Sequence, residues 1–167
     1  MTDFAEILKA YQAFPQQYLS LMLSTADANG NLDASYAPFV KDEAYHFYIF
    51  VSGLSPHTQN LLSTAKASIL LIDDEANTPQ IFARRRLSYS CSVTPMSRDT
   101  EAWQQIIQAF HQRFGEIIDV LSSLQDFQLM RLTPDAGRFV VGFGAAYEVD
   151  PENPGQLLSQ PLKKLGS

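Results

Sequence analysis

The sequence predicts a mainly β (α+β) fold: six or seven antiparallel strands closed, fully or partly, into a small barrel with a few peripheral helices. Three observations carry this. Leu19–Thr25, Leu32–Val40 and Ala44–Ser52 follow one another in meander order, joined by short turns. The first joint contains Asn29-Gly30, a dipeptide that accepts the positive φ of a tight hairpin. Further strand-like runs recur at Ala67–Asp73, Ile81–Thr94, about Asp126–Leu132 and Gly137–Val149, and closing them into a barrel removes their exposed edges.

Taken in order, Asp3–Tyr11 has helical spacing of Phe4, Ile7, Leu8 and Tyr11 and must end before Pro15. Lys41-Asp42-Glu43 turns the chain into the aromatic strand that holds Tyr45, Phe47, Tyr48 and Phe50. Ser55-Pro56 opens a short helix, with serine before proline at the first helical position. Asn77-Thr78-Pro79 is the next turn. Ser97 is placed to cap an amphipathic helix with Trp103, Ile106, Ile107, Phe110 and Phe114 on one side. Gly115 is placed to stop it, and Ile117, Ile118, Leu121 and Leu124 predict a second helix after a bend. Thr133-Pro134-Asp135 divides the last two strands. One domain is expected over residues 1–149, followed by a tail over 150–167 with prolines at 151, 154 and 161 and little periodicity.

With 167 residues, 46% of them hydrophobic, the chain can bury a core without staples. A net charge of −6 argues against nucleic acid or an anionic membrane as partner. Met1-Thr2-Asp3 lacks the cationic start of a signal peptide, and Ala67–Ile72 is too short an aliphatic run to span a bilayer. The lone Cys91 cannot form an intrachain disulfide, which fits a reducing cytoplasm. Within a strand beside Tyr89 and Val93 it reads as a small buried residue.

Against that acidic background Arg84-Arg85-Arg86 needs a reason. Continuous alternation from Ile81 would put Arg84 and Arg86 on one face with Ser88, Ser90, Ser92 and Thr94. Guanidiniums beside hydroxyls suit a carboxylate or phosphate. The same face could instead be solvated and paired across the sheet with Asp73-Asp74-Glu75. Both readings stand on residues alone.

Elsewhere, Gly142 and Gly144 leave one face of the last strand bare, as a bulge, a barrel corner or close approach of something flat would require. Among the three histidines no pair has metal-ligand spacing, and no CxxC or CxxCH occurs. His46 in the aromatic strand reads as a packed core residue and His111 as a solvated one. His57 lies in the first turn of the short helix with Ser55 and Thr58, where free N–H groups favour anions.

Several segments together resemble the haem-utilisation proteins of the HugZ/HutZ type, a branch of the flavin-binding split barrels related to pyridoxamine-phosphate oxidase. The segments are Ser35-Tyr36-Ala37-Pro38-Phe39-Val40, His57 with Asn60-Leu61, Phe82–Leu87, Arg113-Phe114-Gly115-Glu116-Ile117-Ile118-Asp119, Leu124-Gln125-Asp126-Phe127 and Gly142–Tyr147. They run in family order over about residues 19–149. The resemblance implies an antiparallel split barrel forming a homodimer, with haem at the subunit interface and, in some members, oxidative opening of the haem. It implies that Arg86, with Arg84, meets the propionates, and that Asp126 fixes an axial histidine through its ring N–H. His57 stands where the family also has histidine and is the candidate iron ligand, because the C-terminal segment Leu157–Ser167 carries none. Two alternatives remain. One is an FMN-dependent oxidoreductase with the phosphate held by the arginines and the Ser55, His57 and Thr58 turn; the other is a non-catalytic haem or flavin carrier.

Overall fold

A computed structural model describes residues 3–161. Four helices and eight strands follow in the order α1 (Phe4–Ala13), β1 (Ser20–Ala26), β2 (Leu32–Lys41), β3 (Phe47–Ser52), α2 (Pro56–Thr64), β4 (Lys66–Ile72), β5 (Arg86–Met96), α3 (Glu101–Phe114), α4 (Ile117–Ser123), β6 (Phe127–Gly142), β7 (Ala145–Val149) and β8 (Leu157–Pro161). The strands form one antiparallel sheet in the order β3-β2-β1-β4-β5-β6-β7-β8. A further β3–β6 pairing, Phe47–Ser52 against Leu132–Phe127, closes the first six into a barrel and leaves β7 and β8 as an extension.

Several local expectations hold. Asp27 closes the β1–β2 hairpin by accepting from the Asn29 and Asn31 amides at 2.9 Å, while Gly30 adopts φ +84°. Pro56 does open α2, and Gly115 at φ +80° ends α3 with its amide on the His111 carbonyl. The barrel interior holds Phe39, Phe47, Ile49, Leu87, Tyr89 and Phe139, packed against Ile7, Tyr11 and Phe14 from the N-terminal segment. A second core lies outside the barrel, where α3 and α4 lay Trp103, Phe110 and Ile118 on Val40, Tyr48, Phe50 and Leu129. Cys91 is buried and free, and burial pushes its thiol up to about 12, so it is inert packing at neutral pH.

Other boundaries differ, for physical reasons. The aromatic strand starts at Phe47, not Ala44, because Tyr45 takes φ +66° in a turn whose Asp42 accepts from the His46 amide and ring. His46 is therefore half-buried, with Nδ1 2.9 Å from the Asp42 carboxylate, and is not a core residue. His111 is exposed, 3.2 Å from Asp119, as expected of a solvated side chain. The cap of α3 is Thr100, whose hydroxyl accepts from the Trp103 amide; Ser97 supplies only a carbonyl to that hydroxyl.

The expected strand Ile81–Thr94 begins only at Arg86, since Ile81–Ala83 coils into a 3-10 turn. The two last strands are divided elsewhere than expected. Thr133-Pro134-Asp135 continues β6, with a register shift opposite Ser90 and Cys91 that absorbs the proline. The division comes at Phe143-Gly144, where Gly144 at φ +66° makes the β6–β7 hairpin. The bare glycine face is thus a turn. The tail folds back: the Tyr11 hydroxyl donates to the Pro154 carbonyl, Leu157 is buried, and β8 pairs with β7. Met1-Thr2 and the end of the tail, residues 162–167, lie outside the described residues.

Candidate functional site

Register across the sheet assembles a site that no single strand reveals. Tyr36, Met22, Leu70, Ser88 and Arg138 stand side by side, one from each of β2, β1, β4, β5 and β6. Beside them runs a second ladder made only of small residues: Ala34, Ser24, Ser68, Ser90 and Ala136. Small side chains leave the sheet flat, and the neighbouring ladder exposes 64% of Tyr36 and 53% of Met22. A cavity of about 700 Å³ lies over this shelf, lined among others by Met22, Tyr36, Ser68 and Leu70. It continues through Leu70 and Ser88 into one of about 370 Å³ under the β6–β7 hairpin, lined by Arg86, Arg138, Phe82 and Phe143. Phe82 and Phe143 are both largely exposed at its rim.

The arginine triplet is divided by the turn that precedes β5. Arg84 donates to the Asp73 carbonyl and pairs with Glu75 at 3.2 Å. Arg85 forms a two-pronged pair with Asp73, at 3.0 and 3.3 Å, and covers the Phe14 ring. The cross-sheet pairing with Asp73 and Glu75 is therefore real for these two. Arg86 is different: half-buried, it spends one N–H on the Arg84 carbonyl at 2.9 Å. Among the described residues no carboxylate lies within ion-pairing distance of Arg86 or Arg138.

The short helix is wired to the segment before β6. The Ser52 hydroxyl donates to the Asp126 carboxylate at 2.8 Å, and the Gly53 amide donates to the Asp126 carbonyl at 2.7 Å. A side chain at 53 would bring its Cβ to 2.8 Å from that carbonyl, so glycine is required by close approach. Arg98 braces the same segment by donating to the carbonyls of Ser122, Leu124 and Phe127. Thr58 is fully buried and its hydroxyl donates to the Ser52 carbonyl at 2.6 Å, leaving nothing for a phosphate. Ser55 makes no side-chain cap bond. His57 places Nδ1 3.0 Å from the Ser35 hydroxyl on the margin of the larger cavity, and burial holds its pKa below the usual imidazole range. It is neutral at pH 7, the form that ligates metals.

Arg86 and Asp126 do not meet within one chain. Arg86 pairs with Val140, whereas Asp126 immediately precedes Phe127 at the other end of β6. That stretch would measure about 46 Å if straight, at ~3.3 Å per residue. Arg138 and the small-residue ladder were not singled out from sequence; their only signal is cross-strand register, which one chain of letters does not display. Among the described residues no group of three His, Cys, Asp or Glu side chains could hold a bare metal ion, and no described helix is long and apolar enough to cross a membrane.

Comparison with known proteins agrees with this architecture. The family model for pyridoxamine 5'-phosphate oxidase matches residues 7–141. The protein named Heme oxygenase HutZ from Vibrio cholerae is 44% identical over 140 residues, which is 84% of this chain and 79% of that one. A crystal structure of HutZ, described as a heme storage protein from Vibrio cholerae, superposes with a TM-score of 0.71 at 39% identity, covering 80% of this chain and 91% of that one. Campylobacter jejuni ChuZ superposes with a TM-score of 0.83 at 31% identity, covering 99% of this chain and 68% of that one. The six-stranded barrel, the order of its motifs and these likenesses agree: the chain belongs to the HutZ/ChuZ haem-utilisation family within the pyridoxamine 5'-phosphate oxidase-like superfamily.

Proposed function

We propose that the protein binds haem between two copies of itself, and that the bound haem is opened oxidatively as part of haem-iron use. The observation that carries this reading is the pair Arg86 and Arg138 beside an apolar, flat shelf, neither in an ion pair among the described residues even though Glu148 stands opposite Arg138. A planar apolar group bearing two carboxylates fits that combination, because each guanidinium offers a forked set of donors to an anionic oxygen pair. Relatives named for heme oxygenase and heme storage lend it support.

A second copy is favoured by two features. The shelf exposes Tyr36 and Met22 next to a ladder of alanine and serine, a surface suited to burial against another flat face. Arg86 and Asp126 lie at opposite ends of β6, so one ligand touches both only if each comes from a different protomer. In such a dimer Arg86 and Arg138 would orient the propionates. The neutral His57 would offer Nε2, since Nδ1 is engaged by Ser35. Asp126, held by Ser52, would accept an N–H from a ligand on the other side. Bound haem supplies the oxygen chemistry at its iron; the protein supplies position, charge and exclusion of water. The free buried thiol of Cys91 accords with a cytoplasmic setting.

The FMN alternative has less to rest on. The turn before α2 lacks a cation, and Thr58 has already spent its hydroxyl. A haem carrier without turnover shares every binding feature and differs only in chemistry. Haemin titration separates these readings: a sharp Soret band with one haem per protomer is expected, and loss of that band under ascorbate and oxygen marks the enzyme. A persistent band under those conditions would make the protein a carrier, and retained yellow flavin absorbance would favour FMN.

A further inference from the structure

Away from the shelf, two cations, Lys41 and Arg113, face one small cavity of about 140 Å³ over the ring of Phe39, which Gln16, Asp42 and Glu43 also line. Lys41 ends β2, where it lies 3.8 Å over the Tyr45 ring and donates to the Asp42 carbonyl. Arg113 comes from the last turn of α3, stacks at 5.0 Å over Phe39 and donates to the Tyr18 carbonyl. Both side chains are half-buried, and neither has an acid within ion-pairing distance among the described residues. Of the two carboxylates nearby, Asp42 is already committed to His46 and the Tyr48 hydroxyl, and Glu43 is exposed. Burial lowers the affinity of Lys41 for its proton even with Asp42 and Glu43 near, and lowers that of Arg113 as well. Neither cation is in direct contact with a carboxylate, although Asp42 and Glu43 line the same cavity.

We propose that Lys41 and Arg113 form a second anion site, separate from the Arg86 shelf, that takes a small oxyanion: inorganic phosphate or the carboxylate of a small organic acid. The cavity has room for an anion and a few waters, about four or five at ~30 Å³ each, and not for a porphyrin. Each cation retains unspent N–H donors, and a bound oxyanion would supply the direct ionic contact that neither makes.

Phosphate and succinate are titrated separately into the whole protein at constant ionic strength, following amide shifts of Gln16 and Glu43 and the melting temperature. Saturable shifts with at least one of them are expected, and which one saturates identifies the source. Lys41→Gln and Arg113→Gln should each weaken that binding about tenfold or more, the usual worth of a charged hydrogen bond. Glu43→Gln should tighten it, and Arg86→Ala should leave it unchanged, which keeps this site independent of the haem reading. If Arg113→Gln fails to fold, Lys41→Gln at the strand end decides alone. The proposal falls if neither anion saturates, if chloride at the same ionic strength acts equally, or if Lys41→Gln titrates like the parent.

Discussion

Arg85 and Arg86 are adjacent on the chain and meet opposite circumstances. Arg85 sits before the start of β5 and closes on Asp73, which also accepts from the Tyr18 hydroxyl at 2.5 Å. There Arg84 and Arg85 both find acids within the same chain, Glu75 and Asp73, and Arg85 with Asp73 pins the N-terminal segment to the barrel through Gln17 and Tyr18. Arg86 is the first residue of β5 and shares its cavity with Arg138 instead of an acid. A guanidinium held half-buried without a counter-charge is costly to keep, which supports the ligand-binding role proposed for Arg86. The same residue type is paired with an acid in one place and without an acid partner among the described residues a single residue later.

The largest effect should come from filling the flat shelf. Ser68→Trp puts a bulky ring at the centre of the small-residue ladder and is expected to abolish dimerisation and haem uptake together. Size-exclusion with light scattering and haemin titration check this, and a dimeric Ser68→Trp protein with parental affinity would break the contrast between the two regions. Next in size, Arg86→Ala should weaken haem binding by about 1.5–3 kcal/mol, a charged hydrogen bond's worth, with little change in melting temperature. Arg84→Ala, whose Glu75 partner is 75% exposed, should cost less than about 1 kcal/mol in either assay.

Asp73→Ala is the mirror experiment. It removes the acceptor of Tyr18 and Arg85 and should destabilise the fold by about 1–2 kcal/mol, read by urea denaturation, while haem affinity stays near parental. The smallest effect concerns pH. The folded protein holds His57 below its unfolded pKa of about 6.5, so the neutral ring favours the native state above that value and the advantage fades as pH falls. Melting temperatures measured from pH 7 to pH 5 should therefore fall more steeply for the parent than for His57→Gln. Parallel curves would show that His57 is equally solvated in both states.

Much of the fold was legible because its signals are local. Asn29-Gly30, Pro56 and Gly115 work through backbone preferences that need no distant partner. The misplaced boundaries have different causes. At Thr133-Pro134-Asp135 a turn signal was overruled by pairing with β5, which carries β6 through the proline, whereas Ile81–Ala83 coils into a 3-10 turn and delays the start of β5. For the site, His57, Arg86 and Asp126 were visible as residue types in recognisable motifs. Arg138 was not, because its role depends on standing opposite Ser88.

The letters alone determined most of the helices and barrel strands, the acidic balance and the family to which the chain belongs, since periodicity, composition and motif order are properties of neighbours along the chain; β8, in a tail without periodicity, was not among them. Tertiary structure alone decided which guanidiniums are spent and which remain, and that a ladder of alanine and serine lies flat beside them. Charge pairing and cross-strand register are contacts between residues far apart in sequence, and they exist only once the barrel has closed.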